Sequence, residues 1–311
     1  MTDRYLDADL AGQLLGHVWP DVVIDTITTR TGGQLSAVYE VRCARPATAV
    51  ILKIYDEQWR WKPAKEVHVY NVLNGHGVGP VPRILHAEPD PCPYGFAYTV
   101  MTLIPGQPLS QVISQLDNAD SFQIYQRIGA SLSAIHRIRQ SSYGYLVTGI
   151  VEPEPDNTAY MTRQFNKKLR EFRELGGDPT LHDAISRHAA ERGELFARCG
   201  APVLCHNNFH EGNALVDRRH GGWAFTGFID VENAIAADPL MDIAKTAYYS
   251  VRRDQNKLAG LLDGYGPLPD DWRERLKLYT LYHALELWDW FASIDNRSPL
   301  PGIADDIRHL T

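Results

Sequence analysis

Cysteine is scarce, with four in 311 residues (Cys43, Cys92, Cys199 and Cys205) and no Cys-x-x-Cys or zinc-like spacing. That excludes a disulfide-built scaffold and predicts reduced thiols. No apolar run approaches the roughly 20 residues that span a bilayer. The opening residues, Met1 to Asp9, have neither a basic start nor an apolar core, so no signal peptide is expected. The expectation is a cytoplasmic protein with no membrane partner. Positive charge is also short: 31 Lys and Arg stand against 38 Asp and Glu, a formal net charge of −7. A nucleic-acid binder needs a basic stripe to displace counterions, so none is expected here. The acidic balance suits a cationic small molecule instead. There is no Gly-x-x-x-x-Gly-Lys-Ser/Thr phosphate loop, no internal repeat and no low-complexity tract. What is present is ordinary: 44% apolar and 22% charged residues, a globular composition long enough for two domains.

Residues 1–103 read as a small strand-rich lobe. Weak alternation runs from Asp21 to Thr28, and Thr31-Gly32-Gly33 is a turn signal. Strands are predicted over Ser36–Cys43 and Thr48–Tyr55, a helix over Lys62–Asn74, and further strands near Arg83–Ala87 and Ala97–Leu103. Pro105-Gly106 breaks the pattern. Residues 104–311 read as a larger, mostly helical lobe. Ile124, Ile128, Leu132 and Ile135 mark an amphipathic helix over Ser121–Ile138. Residues 140–158, with Pro153 and Pro155, read as a loop. Helices are predicted over Thr162–Leu175, Asp183–Cys199 and Trp272–Phe291. Short strand-like pieces flank the polar turn Arg218–Gly222. The layout is α+β, a β-rich lobe followed by an α-rich one.

The most informative stretch runs Val203-Leu-Cys-His206-Asn207-Asn208-Phe209-His210-Glu211-Gly212-Asn213, followed by Ile229-Asp230-Val231-Glu232. Here the chain resembles the aminoglycoside phosphotransferase family, small-molecule kinases of the protein-kinase fold. The family carries His-x-Asp-x-x-x-x-Asn and then Ile-Asp-x-Glu/Asp, which fall on His206, Asn208, Asn213, Asp230 and Glu232. Asp238-Pro239 and Asp242 resemble the continuation; Lys53 and Glu66 resemble the lysine strand and its paired glutamate. Tyr98 to Leu109 resembles the hinge. The resemblance runs in order from about residue 20 to 295 and implies a bilobal kinase-like fold. It implies that Lys53, paired to Glu66, reaches the phosphates of ATP or GTP. It further implies that Asn213 and Asp230 hold Mg²⁺, that Met101, Thr102 and Ile104 read the base, and that His206 orders the loop. Phosphoryl transfer needs charge neutralisation and alignment more than covalent help, so these residue types fit the chemistry.

One position departs from the pattern. The family's catalytic aspartate falls on Asn208, and an amide cannot take a proton as a carboxylate does. Loss of a general base typically costs about 10²- to 10⁴-fold in rate. With the other motifs intact, the reading adopted is a base-deficient form of an active enzyme, made by an Asp-to-Asn substitution. The alternative is a native Asn208 and a nucleotide-binding pseudokinase. His206 and His210 are not in His-Glu-x-x-His order, so zinc is not expected. Glu232, Glu286 and Asp289 are candidate substrate contacts, weighed against solvated acidic faces and an aromatic core. The expected activity is transfer of a nucleotide's γ-phosphoryl to a hydroxyl of a small cationic antibiotic by a monomer. A metabolite such as choline, homoserine or a sugar is the rival substrate.

Overall fold

The computed structural model describes residues 6–30, 36–56, 61–89, 94–219 and 221–311. The chain divides into two compact units, residues 1–106 with 226–232, and residues 107–225 with 233–311. The first thus takes in a short segment around Asp230 that its place in the sequence assigns to the second lobe. The Thr31-Gly32-Gly33 turn lies outside the described residues.

The first unit is built on a five-stranded antiparallel sheet of order β1-β2-β3-β5-β4. Its strands are β1 (Val23–Arg30), β2 (Ser36–Arg45), β3 (Thr48–Tyr55), β4 (Ile84–Glu88) and β5 (Ala97–Thr102). Alternation sorts β3 into two faces. Val50, Leu52 and Ile54 join a core cluster with Val41, Tyr98, Val100 and the leucines Leu14 and Leu15 of α1 (Ala8–Gly16). Lys53 and Tyr55 point the other way, toward Glu66 of α2 (Lys62–Gly75). Helix α1 is short and was not expected from the sequence; Asp7 caps it, accepting from the Leu10 amide at 2.8 Å.

The second unit is mostly helical: α3 (Asn118–Ile135), α4 (Asn157–Glu174), α5 (Pro179–Glu191), α6 (Leu240–Thr246), α7 (Gln255–Tyr265), α8 (Trp272–Ser293) and α9 (Leu300–Leu310). Aspartates begin four of them, Asp117, Asp156, Asp178 and Asp254 each accepting a first-turn amide. Helices α3 and α7 meet backbone to backbone through glycines. A Cβ on Gly264 would lie 1.8 Å from the Gln126 carbonyl oxygen, and one on Gly129 only 2.1 Å from that of Leu261. Three differences from the sequence expectation stand out. Residues 140–158 are not a plain loop but hold an antiparallel hairpin, β7 (Tyr143–Leu146) and β8 (Ile150–Glu154). Its strands are too short to show a period, and Gly144, at φ 152°, takes a backbone few other residues adopt. The helix expected over Asp183–Cys199 instead starts at Pro179 behind Asp178 and stops at Glu191. Helix α9, signalled by Leu300, Ile303 and Ile307, was not expected.

Strand β9 (Val203–Cys205) pairs antiparallel with β12 (Ile235–Ala237), Cys205 opposite Ile235. β10 (Ala214–Arg219) follows the intervening loop and pairs with β6 (Gln107–Pro108). The loop His206–Asn213 is therefore strung between two strands, and Asp238-Pro239 leads straight into α6.

Candidate active site

Within the first unit, Lys53 sits on β3 opposite Thr99 of β5 and Val38 of β2. Its Nζ donates to Glu66 Oε1 at 2.9 Å, with Lys53 8% and Glu66 1% exposed. The Tyr55 hydroxyl donates to the other Glu66 oxygen and lies 3.1 Å from Thr99 Oγ1. Burial works against the Lys53 charge, but Glu66, Asp230 and Glu232 outweigh it and hold the ammonium above its usual range. The result is a fixed, always-charged cation. Asp230 follows β11 (Gly222–Phe228) in a left-handed backbone, φ 67°, with its amide donating to the Tyr70 hydroxyl at 3.1 Å. Such strain in a non-glycine residue is held only where surrounding structure imposes it. Glu232 is bound to Lys62 at 3.0 Å, so its carboxylate already has a buried cation. At the expected hinge, Met101 is buried, Ile104 borders on buried, and the Thr102 amide is committed to the Arg83 carbonyl at 2.9 Å.

Within the second unit, the loop is shaped by hydrogen bonds at both ends. Asp242 of α6, fully buried, accepts from the His206 and Asn207 amides, each at 2.6 Å. Asn207 pays for this turn with a left-handed φ of 55°. His136, at the end of α3, reaches Asp242 through Nε2 at 3.1 Å and the Tyr265 hydroxyl through Nδ1 at 2.9 Å. Burial would raise the Asp242 carboxyl, but His136, His206 and the Asn207 amide hold it below the usual carboxylate range. His136, Cys205 and Asp242 bring nitrogen, sulfur and oxygen within 4.8 Å of one another. Both His136 nitrogens and both Asp242 oxygens are already engaged, so this cluster is an anchor for the loop.

Further along, the Asn208 amide donates to His206 Nδ1 at 3.2 Å, and Asn213 Nδ2 donates to the Asn208 carbonyl at 2.9 Å. The Asn213 nitrogen is thus spent on closing the loop, which leaves Oδ1 as its atom for a cation. His206 is 2% exposed. The loop's one carboxylate, Glu211, takes the Tyr125 hydroxyl at 2.6 Å and Lys257 Nζ at 2.8 Å. His210 accepts from the Gly212 amide at 3.0 Å and is pushed down to about 4 by burial, His206 and Lys245. Among the described residues of the loop, neither Glu211 nor His210 offers an uncommitted strong base beside Asn208.

Beyond the loop, Lys245 of α6 donates to Glu286 of α8 at 2.8 Å, and His283 Nδ1 lies 3.1 Å from the same oxygen. Burial opposes the Glu286 charge, yet Lys245 and His283 hold its carboxyl well below the usual range. Asp289 lies one turn on, 2% exposed. Sequence reasoning missed His136, Tyr125, Lys245 and Lys257. Their partners lie 41 to 106 residues away, and no local pattern announces them.

Comparison with known proteins bears on all of this. The phosphotransferase enzyme family, APH, matches residues 26–278. Among solved structures, the GDP complex of wild-type aminoglycoside 2'-phosphotransferase-IIIa superposes with a TM-score of 0.70 at 11% identity, covering 98% of each chain. A thermostable mutant of aminoglycoside phosphotransferase APH(4)-Ia, in ternary complex with AMP-PNP and hygromycin B, gives 0.69 at 16% identity over 96% of this chain and 98% of that one. The GDP and kanamycin complex of APH(2")-IIia gives 0.68 at 12% identity, covering 96% of this chain and 97% of that one. At such identities the likeness is one of fold, a sheet-built region followed by a helical one.

Proposed function

Because the chain belongs to the phosphotransferase enzyme family, we propose that it binds a purine nucleotide and moves the γ-phosphoryl to a hydroxyl of a small cationic compound. The observation that carries this reading is the buried Lys53–Glu66 pair, a cation held by a carboxylate whose other oxygen accepts from the Tyr55 hydroxyl. Held this way, an ammonium neutralises phosphate charge without first having to be ordered. Asp230 and Asn213 each carry a hard oxygen donor of the kind Mg²⁺ takes. The bound metal would neutralise developing phosphate charge. His206 and Asp242 hold the loop backbone in place, so that the residue at position 208 faces the arriving hydroxyl.

Hygromycin B and kanamycin accompany two of the similar enzymes, which supports an aminoglycoside-type substrate here. Asn208 cannot take the hydroxyl proton, and the tied Glu211 and weakly basic His210 do not replace it. The chain as it stands is therefore a slow phosphotransferase. A pseudokinase is the second reading, favoured by that same lack of a base. The deciding experiment is phosphorylation of an aminoglycoside panel, with choline and homoserine beside it, by the Asn208→Asp protein. Product on several aminoglycosides supports the proposal; product on a metabolite alone replaces the substrate; none at all leaves the pseudokinase.

A further inference from the structure

The two histidines of the loop share one local design. His206 Nδ1 accepts the amide two residues on, that of Asn208, at 3.2 Å, and His210 Nδ1 likewise accepts that of Gly212 at 3.0 Å. An imidazole nitrogen that accepts carries no hydrogen, so on His210 the hydrogen sits on Nε2. Gly212 makes room for this ring: a Cβ there would lie 2.8 Å from His210 Cε1 and 3.0 Å from Nδ1. The segment that continues α6 holds the same stretch residue by residue. Thr246 Oγ1 donates to the Phe209 carbonyl at 2.7 Å, and Ser250 Oγ accepts the Glu211 amide at 3.0 Å. Between them the Tyr249 ring stacks beside that of His210, 17° apart in plane with centroids 6.3 Å apart. Residues 247–251 wind as one π-helical turn, a form frequent at functional sites.

His210 Nε2 lies 3.4 Å from Asn213 Nδ2, the nitrogen that donates to the Asn208 carbonyl. Both are donors, so this contact is not a hydrogen bond, and among the described residues no acceptor meets the Nε2 hydrogen. We propose that His210 is a further catalytic residue of the transfer reaction, a neutral donor whose Nε2–H binds an oxygen of the moving phosphoryl group. It adjoins Asn213 and, through that side chain, position 208, so it stands where charge on the phosphoryl oxygens must be met. A donor to the attacking hydroxyl oxygen would instead weaken the nucleophile, which makes the phosphoryl oxygen the acceptor. In the step itself the bond from the γ-phosphorus to the nucleotide's bridging oxygen breaks, and a bond to the substrate oxygen forms. The hydroxyl proton passes to water, and His210 keeps its own. The role rests on the phosphotransferase reading; the position of the hydrogen does not.

Asparagine and glutamine separate the two ring nitrogens. In His210→Asn the amide oxygen can replace Nδ1 toward Gly212, but nothing replaces Nε2–H; in His210→Gln the amide nitrogen can reach the place of Nε2. The probe is Mg²⁺ with aluminium fluoride and whichever of ADP and GDP binds, a complex that mimics the phosphoryl group in flight. Calorimetry should show His210→Asn binding it about 10²-fold more weakly, the size of one lost donor to developing charge. Affinity for the diphosphate alone should stay put, and His210→Gln should recover most of the loss. In steady-state assays kcat and kcat/KM of His210→Asn should fall together. Side-chain nitrogen NMR of the free protein should show His210 neutral with its hydrogen on Nε2. A purely structural histidine gives the opposite order, asparagine tolerated and glutamine harmful, and overturns the inference. A hydrogen on Nδ1 does the same. If the parent binds the fluoride complex and both variants match it, His210 alone is removed. If the parent binds neither diphosphate nor fluoride complex, the phosphotransferase reading falls and takes the inference with it.

Discussion

At position 208 a single atom separates the amide from a carboxylate, and the rest of the loop is ready for the carboxylate. The Asn208 backbone is fixed from both sides, by His206 Nδ1 and by Asn213 Nδ2. An aspartate there should therefore need no rearrangement. Asn208→Asp is expected to raise turnover by about 10²-fold or more, the size of a positioned general base. Since the gain lies in the chemical step, kcat and kcat/KM should rise together while nucleotide affinity stays put. Steady-state kinetics of the two proteins checks this. Lys53 makes the complementary case. Lys53→Ala should weaken binding of a non-hydrolysable ATP analogue at least tenfold by calorimetry, because the variant removes the cation and strands Glu66 in a buried site. Unchanged affinity would remove Lys53 from the nucleotide's surroundings. As candidates, both residues were legible in the sequence, since each belongs to a short pattern. The fates of Glu232 and Glu286 were not, because Lys62 and Lys245 reach them across 170 and 41 residues.

Among the elements, the strands of the first unit and the long helices followed the periodicity of their apolar residues. The short pieces did not: β7 and β8 are too brief to establish a period, and α1 and α9 each turn only a few apolar residues inward. The loop His206–Asn213 illustrates a different limit. Its sequence names the residues, but its shape comes from Asp242 on α6, His136 on α3 and Lys257 on α7. Lys257→Met keeps the aliphatic stem and deletes the ion pair with Glu211. That variant should lower stability by about 1–3 kcal/mol, the cost of leaving a half-buried carboxylate short of its cation. It should lower kcat with little change in nucleotide affinity, since Glu211 lies within the loop that carries position 208. Denaturant melts together with kinetics separate the two effects.

For the molecule as a whole, acid and base should act in opposite senses at different carboxylates. Glu286 and Asp242 are held below their ordinary range, so the stability they contribute is present at neutral pH and is lost as pH falls through the acid region. Asp289 works the other way. Its folded carboxyl titrates at about 8 against an ordinary value of 3.8, so the folded state keeps a proton that the unfolded chain releases. Stability from this group is full below the ordinary value and drains away as pH rises toward 8. The stability of Asp289→Asn relative to the parent should accordingly grow between pH 5 and 7.5, with a slope approaching about 1.4 kcal/mol per pH unit. Urea melts across that range measure it directly, and a flat difference would mean that Asp289 is ionised in the fold. The glycine contact between α3 and α7 has a consequence of another kind. Gly129, Gly260 and Gly264 let the two backbones touch, with no side chain between them that could swing aside. Tyr125 and Lys257 project from this same pair to grip Glu211. Deuterium should therefore enter the α3 and α7 amides last in the second unit, at the rate of its full unfolding. The loop that carries position 208 hangs from the slowest-exchanging part of that unit, and Gly264→Ala should loosen both together.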